Sequence, residues 1–176
     1  IMNLKDYIRS IKDYPKKGIL FRDITTLIKD ETAFEETINQ IVEKSKKFKV
    51  DKIAAIESRG FVFASAVSFI LKKPFIMLRK KNKLPADVHS VNFQLEYGTA
   101  TIEVHKDSIS ENDSVLIIDD LIATGGTAEA AAKLIEISKG KVAAFIFVIN
   151  LFDLGGCENL LKNGYKVENL MDFPGH

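Results

Sequence analysis

The chain has 176 residues, enough for one domain with a substantial core and too few for two comfortable ones. Its 25 basic and 24 acidic residues nearly cancel, so no global electric field is available to recruit nucleic acid or a membrane surface. Cys157 is the only cysteine, which excludes an internal disulfide and favours a reducing compartment. We expect a single domain over residues 2–176, located in the cytoplasm, with no nucleic-acid or membrane partner.

Two helices are predicted at the start of the chain. The first follows a candidate cap at Asn3 and is ended by Pro15. Its apolar residues recur at helical spacing: Leu4, Tyr7, Ile8 and Ile11. The second begins at a capping box, in which Thr32 is the cap and Glu35 lies three residues further on.

Strands and helices then alternate along the chain. Short apolar runs predict buried strands over 52–57, 75–78, 114–119 and 141–149, and apolar periodicity predicts helices over 61–71 and 127–138. Alternating residues over 91–96 and 99–104 predict two half-exposed strands that can pair. A polar, basic loop over 80–90 is long enough to be mobile. The alternation predicts an α/β fold with a mainly parallel sheet.

Polar residues follow three of the predicted strands. They occupy 57–60, 79–81 and the pair Asp119 and Asp120. Ligands of open parallel sheets bind beyond the carboxyl ends of the strands. The sequence therefore predicts a binding site where these three ends meet.

The segment from Ala123 to Thr127 contains two adjacent glycines and opens a predicted helix. Glycines allow the backbone N–H groups to approach a ligand closely, and a helix N-terminus favours an anion such as a phosphomonoester. An ordinary strand-to-helix turn with a threonine cap explains these residues about as well. The aspartate pair favours a sugar phosphate, because ionised carboxylates accept hydrogen bonds from a vicinal diol. The alternative is a solvated turn in which one aspartate caps the helix.

Several weaker signals surround this segment. Neither GxxxxGK[ST] nor GxGxxG occurs, which argues against a Walker-type nucleoside triphosphatase and against a dinucleotide-binding protein. Ser58 and Arg59 form either a second anion site or an exposed turn. The basic residues over 79–83 either screen a polyphosphate or are simply solvated. Glu96 follows the basic loop and is the best acid/base candidate.

The segment VLIIDDLIATGGTA (115–128) resembles the signature with which type I phosphoribosyltransferases bind 5-phosphoribosyl-1-pyrophosphate (PRPP). Four further segments are similar to those of the adenine phosphoribosyltransferase family: GILFRDIT (18–25), ESRGF (57–61), RKKNKLP (79–85) and LEYG (95–98). They appear in the family's order and span the chain from about Tyr14 to Phe152.

This resemblance implies the type I phosphoribosyltransferase fold, in which a central, mainly parallel sheet is flanked by helices and carries a small hood and a flexible catalytic loop. It implies transfer of the phosphoribosyl group from PRPP to adenine, which yields AMP and pyrophosphate. It also implies Mg2+ as cofactor, bound mainly through PRPP oxygens rather than protein ligands, and a homodimer.

The resemblance also implies roles for individual residues in binding PRPP. Asp119 and Asp120 would hold the ribose hydroxyls, and the 5-phosphate would bind to Ala123, Thr124, Gly125, Gly126 and Thr127. Ser58 and Arg59 would form the pyrophosphate loop. Arg79 and Lys83 would add positive charge, from the same subunit or from its partner.

The remaining implied roles concern the base. The backbone around Leu20 and Arg22 would read the adenine edge, and Phe21 would pack on its face. Glu96 and Tyr97 would lie on the loop that closes over the reacting centre, where Glu96 would manage a purine proton.

Three positions depart from the family pattern. Asn82 stands where glycine is usual in the basic loop, Phe93 where a tyrosine is common, and Ala64 where a small glycine follows RGFxF. These changes concern loop details and leave the PRPP signature intact.

Two other functions are compatible with the sequence. The first is the same fold acting on a 6-oxopurine or xanthine, since a few backbone contacts decide which base is bound. The second is a transcriptional regulator that binds PRPP without catalysis. The sequence contains neither a helix-turn-helix extension nor a distinct basic face, which disfavours the regulator.

Overall fold

The computed structural model describes residues 2–95 and 97–176. The strands of this part of the chain are β1 (Arg9–Lys12), β2 (Leu20–Asp23), β3 (Lys52–Ile56), β4 (Phe75–Lys80), β5 (Val88–Gln94), β6 (Thr99–His105), β7 (Ser114–Ile122), β8 (Lys141–Leu151) and β9 (Val167–Phe173). The α-helices are α1 (Thr25–Ile28), α2 (Glu31–Ser45), α3 (Arg59–Leu71), α4 (Gly126–Ile137) and α5 (Gly156–Lys162). Short 3-10 helices cover Leu4–Tyr7 and Phe152–Leu154.

Seven strands form the central sheet in the order β5-β6-β4-β3-β7-β8-β9. The five strands from β4 to β9 in this order are parallel, whereas β6 runs antiparallel to β4 and pairs with β5 as a hairpin. Strands β3 and β8, inside the sheet, are almost continuous apolar runs because helices cover the sheet on both faces. The predicted mainly parallel α/β fold is confirmed.

Hydrophobic cores fill both faces of the sheet. On one face, α2 and α3 contribute Ile41 and Phe63, which are fully buried against alternate residues of β3, β7 and β8. On the other face, α4 contributes Leu134, which packs with Phe145 and Phe147 of β8. This double covering fixes the positions of the strand ends.

The strands β1 and β2 form a separate two-stranded antiparallel sheet, which corresponds to the expected hood. The buried carboxylate of Asp23 accepts hydrogen bonds from Arg9 and from the N–H and hydroxyl of Thr25. Burial opposes ionisation of Asp23, but these hydrogen bonds outweigh it and lower its pKa. The ion pair and the hydrogen bonds fix the base of the hood.

Three local predictions differ from the structure. The first predicted helix ends at Tyr7, and the chain continues as β1, because Ile11 and its neighbours pair with β2. Asp30 rather than Thr32 caps α2, since its Oδ1 accepts the N–H of Ala33 at 2.8 Å. The basic loop narrows to 81–87, because β4 and β5 extend into the predicted range. In the described part of the chain, no helix is both long and apolar enough to cross a bilayer.

Candidate active site

The three polar strand ends lie side by side at one edge of the sheet. Strand β3 is hydrogen-bonded to β4 on one side and to β7 on the other, all in the same direction. Strand β7 continues beyond its predicted end to Ile122, since its last residues pair with β8, so both aspartates lie on the strand close to its end. The sequence prediction that these ends meet is confirmed.

A cleft of about 270 Å³ opens at this edge. It is lined by Arg59, Asp119, Asp120, Leu121, Ile122, Ala123, Thr124, Gly125, Gly126, Thr127, Ala128 and Phe147. A larger hollow of about 390 Å³ lies near the hood, and its lining includes none of the predicted substrate-binding residues, all of which the structure describes. Chemistry rather than volume therefore identifies the cleft as the candidate site.

The loop before α4 has the geometry of an anion site. Gly125 is buried with a φ of +91°, a left-handed conformation that favours glycine, and it directly precedes the first residue of α4. In the part of the chain that the structure describes, no side-chain hydrogen bond caps the N-terminus of this helix. The first N–H groups of α4 therefore border the cleft without a helical partner, at the positive end of the helix dipole.

The two aspartates are held differently. Asp120 is buried, and its Oδ2 accepts a hydrogen bond from Arg59 Nε at 2.6 Å. Asp119 Oδ1 accepts the backbone N–H of Asp120 at 2.8 Å. Burial and the adjacent negative charge of Asp120 raise the pKa of the Asp119 carboxyl well above its usual range. A ligand that donates hydrogen bonds here would favour the ionised form of Asp119.

Gly60 allows the start of helix α3 to lie directly against Asp119. A Cβ at Gly60 would lie 2.8 Å from Asp119 Oδ1 and 3.3 Å from the carbonyl oxygen of Ile118. Any side chain at this position would displace the carboxylate. The sequence places Gly60 in a possible anion-binding turn but does not predict this contact, because a close approach between distant segments leaves no local pattern.

The hood contacts the cleft through Arg59. Its guanidinium carbon lies 5.8 Å from the centroid of the Phe21 ring, so Phe21, Arg59 and Asp120 form a continuous series of contacts. The side chain of Arg22 lies elsewhere: it donates to the carbonyl oxygen of Pro174 at 2.9 Å and lies 4.7 Å from the Phe173 ring centroid. The guanidinium is thus engaged away from the cleft, and the contact of the Arg22 backbone with a base stays a prediction.

Two carboxylates accept hydrogen bonds from the basic segment 79–83, at the end of β4 and in the turn that follows it. Glu57 Oε1 accepts hydrogen bonds from the backbone N–H of Lys80 at 2.8 Å and from Arg79 Nε at 3.2 Å. Burial opposes ionisation of Glu57, but the N–H of Lys80 and the charge of Arg79 lower its pKa overall. Arg79 is thus already paired at the strand end, whereas Lys83 is exposed in the following turn.

Glu103 is the second of these carboxylates, and sequence reasoning missed it. It is buried on β6 and accepts hydrogen bonds from Ser90 Oγ at 2.7 Å and from the N–H of Asn82 at 2.9 Å. The bonds from Ser90 and Asn82 lower the pKa of Glu103. Asn82 has a φ of +66°, which explains why glycine is usual there and why asparagine, the side chain most tolerant of this region, can replace it.

The tip of the β5–β6 hairpin meets the hood. Glu96, the predicted acid/base residue, lies outside the described residues. Its neighbour Tyr97 is exposed, and its ring centroid lies 5.3 Å from Nζ of Lys16, in the turn between β1 and β2. The predicted closing segment is therefore in contact with the turn that leads into the predicted base-binding strand β2.

Residues 24–169 match the phosphoribosyl transferase domain. The chain belongs to the phosphoribosyltransferase family. It is 83% identical over 175 residues to the adenine phosphoribosyltransferase of Pelagibacter ubique, covering 99% of this chain and all of that protein. The corresponding enzyme of Chlorobium phaeobacteroides is 51% identical over 176 residues, covering 99% of each chain.

Solved structures of phosphoribosyltransferases agree with these sequence relatives. The adenine phosphoribosyltransferase of Thermoanaerobacter pseudethanolicus superposes with a TM-score of 0.92 at 44% identity, covering 97% of this chain and 98% of that one. The Saccharomyces cerevisiae enzyme, complexed with an imino-altritol bisphosphate and adenine, gives 0.88 at 32% identity, covering 96% of each. The predicted resemblance to the adenine phosphoribosyltransferases and the predicted fold class are confirmed.

Proposed function

We propose that this cleft transfers the 5-phosphoribosyl group of PRPP to adenine, giving AMP and pyrophosphate. The observation that carries the proposal is the side-by-side placement of an aspartate pair and an uncapped helix N-terminus at one sheet edge. A sugar phosphate presents hydroxyl donors to the first and an anion to the second. The 83% identity to the adenine phosphoribosyltransferase of Pelagibacter ubique supports adenine as the acceptor.

PRPP binds through both halves of this arrangement. The 5-phosphate accepts hydrogen bonds from the backbone N–H groups of the loop 123–127, and the hydroxyls of Thr124 and Thr127 are further donors. The ribose hydroxyls donate to Asp119 and Asp120. Because burial raises the pKa of Asp119, a donating diol supplies the stabilisation that its carboxylate otherwise lacks.

The reaction breaks the bond between ribose C1 and the pyrophosphate oxygen and forms a bond from adenine N9 to C1. Negative charge grows on the leaving pyrophosphate, next to Ser58 and Arg59 at the start of α3. Arg59 is half-exposed beside Asp120, so it can donate to the leaving group from its remaining N–H groups. Arg79 and Lys83 add positive charge on the neighbouring segment, from this subunit or its partner.

The base half of the site consists of the hood and the hairpin tip. The backbone of Leu20 and Arg22 reads the adenine edge, and Phe21 packs on its face. Glu96 takes the proton that N9 loses, and Tyr97 helps to close the chamber against water. Contact between Tyr97 and Lys16 supports this closed arrangement.

We propose Mg2+ as the cofactor, held mainly by PRPP oxygens. Among the residues at 2–95 and 97–176, no three His, Cys, Asp or Glu side chains are grouped as a metal site. Mg2+ prefers substrate oxygens and water to an all-protein cage, and Asp119 and Asp120 are the carboxylates that line the cleft. When bound, the ion would neutralise charge on the pyrophosphate.

A homodimer in the cytoplasm completes the proposal. Apolar side chains on the outer face of α3 and the adjacent strand β4 are exposed: Val62, Phe69, Ile70 and Met77. Phe69 is 85% exposed, which is unusual for so large an apolar side chain. A second copy of the chain would cover this face, and α3 also carries Arg59 into the cleft.

A base-competition assay tests the proposed reaction. The protein is incubated with PRPP, Mg2+ and either adenine, hypoxanthine, guanine or xanthine, and formation of each nucleoside monophosphate is followed. We expect turnover to be fastest with adenine. Faster turnover with a 6-oxopurine would reassign the substrate, and PRPP binding without turnover on any base would favour the regulator.

A further inference from the structure

The phosphate-binding loop is supported by a segment from the far end of the chain. After β8, the 3-10 helix Phe152–Leu154 leads to Gly155 and Gly156, where α5 begins. Gly155 has a φ of +81° and turns the chain so that Gly156 meets the loop. The N–H of Gly156 donates to the carbonyl oxygen of Ala123 at 3.2 Å.

This contact is made between two backbones and leaves no space for a side chain on either. A Cβ at Gly156 would lie 2.4 Å from the carbonyl oxygen of Ala123 and 2.9 Å from the amide nitrogen of Gly125. A Cβ at Gly125 would lie 3.0 Å from Cα of Gly156. The curvature of the loop is therefore set partly by a segment outside the PRPP signature.

We infer that Gly156 is a positioning residue for the 5-phosphate of PRPP. It acts through Ala123 and Gly125, whose backbone it holds in the conformation that exposes the N–H groups at the start of α4. The inference rests on the proposed function, since it assigns the loop to the phosphate. A side chain at 156 must push the loop backbone, because both of these loop atoms are main-chain atoms.

The test compares Gly156→Ala with Gly164→Ala. Gly164 has a φ of +90°, and an added Cβ would meet nothing within 4 Å among the described residues, so alanine there strains the backbone without touching the loop. Ribose 5-phosphate is the probe, because it carries the phosphate and the diol but no base or pyrophosphate. We expect Gly156→Ala to weaken its binding about 10- to 100-fold, by analogy with the rate loss of up to about 100-fold when positioned groups move by about 1 Å. The Gly164→Ala variant should bind it like the wild type.

Kinetics separate positioning from general destabilisation. We expect the KM for PRPP to rise in Gly156→Ala while the KM for adenine stays near the wild-type value. If both variants lose thermal stability equally and bind ribose 5-phosphate like the wild type, the inference is wrong. If the wild type itself neither binds ribose 5-phosphate nor turns over PRPP with adenine, the proposed function fails instead.

Amide hydrogen exchange in the wild type keeps the inference testable if Gly156→Ala does not fold. Saturation with ribose 5-phosphate should slow exchange of the Gly156 N–H, since the loop carbonyl that it bonds becomes fixed. The N–H of Gly164, which donates to Leu161, should be unaffected. Equal exchange at Gly156 with and without the ligand would overturn the positioning role.

Discussion

Asp119 and Asp120 are adjacent in sequence but differ in how the fold treats their charge. Asp120 has a cationic partner in Arg59, whereas Asp119 is partly buried and lies beside the negative charge of Asp120. The folded protein therefore holds the Asp119 proton more tightly than the unfolded chain does. The free energy of unfolding therefore falls as the pH rises from the unfolded pKa of about 3.9 through the raised folded pKa, because only the unfolded chain ionises freely in that range. Asp119, the proposed ribose ligand, is thus a local source of instability in the ligand-free protein.

Asp119→Asn should raise the stability of the ligand-free protein while it weakens ribose 5-phosphate binding. The amide removes the cost of ionisation and can still accept the N–H of Asp120. A gain of about 1 kcal/mol would raise Tm by roughly 2–4 °C. Tm is measured from pH 4 to pH 8, and the gain should grow as the pH rises, because the wild-type penalty grows.

Asp120→Asn is the matched control for this prediction. It removes the negative charge that faces Arg59 Nε at 2.6 Å, which weakens this charge-assisted hydrogen bond, and should lower Tm rather than raise it. If Asp119→Asn also lowers Tm at pH 8, or changes it equally at every pH, the burial of charge at Asp119 is not the cause.

At the scale of elements, one carboxylate joins three segments around the basic loop. Glu103 of β6 accepts hydrogen bonds from the hydroxyl of Ser90 on β5 and from the backbone N–H of Asn82 in the loop. The left-handed conformation of Asn82 presents that N–H to the carboxylate. The loop that carries Lys83 is therefore fixed at its root by β6 and β5.

Glu103→Gln should lower the free energy of unfolding by about 1–3 kcal/mol at pH 7, because the buried charge-assisted hydrogen bonds are weakened. The folded pKa of Glu103 is lowered, so its contribution is complete above the unfolded pKa of about 4.3 and disappears as the pH falls through the folded pKa. Urea unfolding of the wild type and of Glu103→Gln at pH 7 and at pH 3 measures the difference in the free energy of unfolding, which should be smaller at pH 3.

The exposed Glu111 provides the control for Glu103. Glu111→Gln should leave the urea midpoint unchanged at both pH values. A Glu103→Gln variant as stable as Glu111→Gln at pH 7 would show that the loop does not depend on this carboxylate.

Elements with a continuous apolar run were predictable, and elements that depend on distant partners were not. Strands β3 and β8 are buried on both faces, so their sequences are apolar almost throughout. The residues from Arg9 to Lys12 carry a helical pattern and still form a strand, because β2 supplies their partners. The C-terminal elements α5 and β9 had no such signal, and sequence reasoning did not assign them.

The candidate site divides in the same way. The proposed roles of Asp119 and the glycine loop rest on chemistry that is local in sequence. Glu103, Gly156 and the packing role of Gly60 were missed, because each depends on a contact with a residue far along the chain. A glycine pair at 155–156 was the one visible signal, and it does not reveal its partner.

At the scale of the whole molecule, the exposed face of α3 determines the expected assembly. Phe69→Asp should convert the proposed dimer to a monomer, since it places a charge in the proposed apolar interface. Light scattering coupled to gel filtration should give twice the chain mass of 19.7 kDa for the wild type and a single chain mass for the variant. Leu161→Asp, at an exposed apolar residue on α5, should stay dimeric. A monomeric wild type would contradict the proposed interface.

Within the described residues, the two-stranded hood shares no hydrogen-bonded strand with the seven-stranded sheet. Its edge is thus free to accumulate substitutions without altering the register of the larger sheet. We expect members of the family to differ in nucleobase choice mainly through substitutions in the hood, whereas the proposed sugar-phosphate site changes slowly. Swapping residues 9–23 between relatives of different base preference would turn that evolutionary expectation into a chimera experiment.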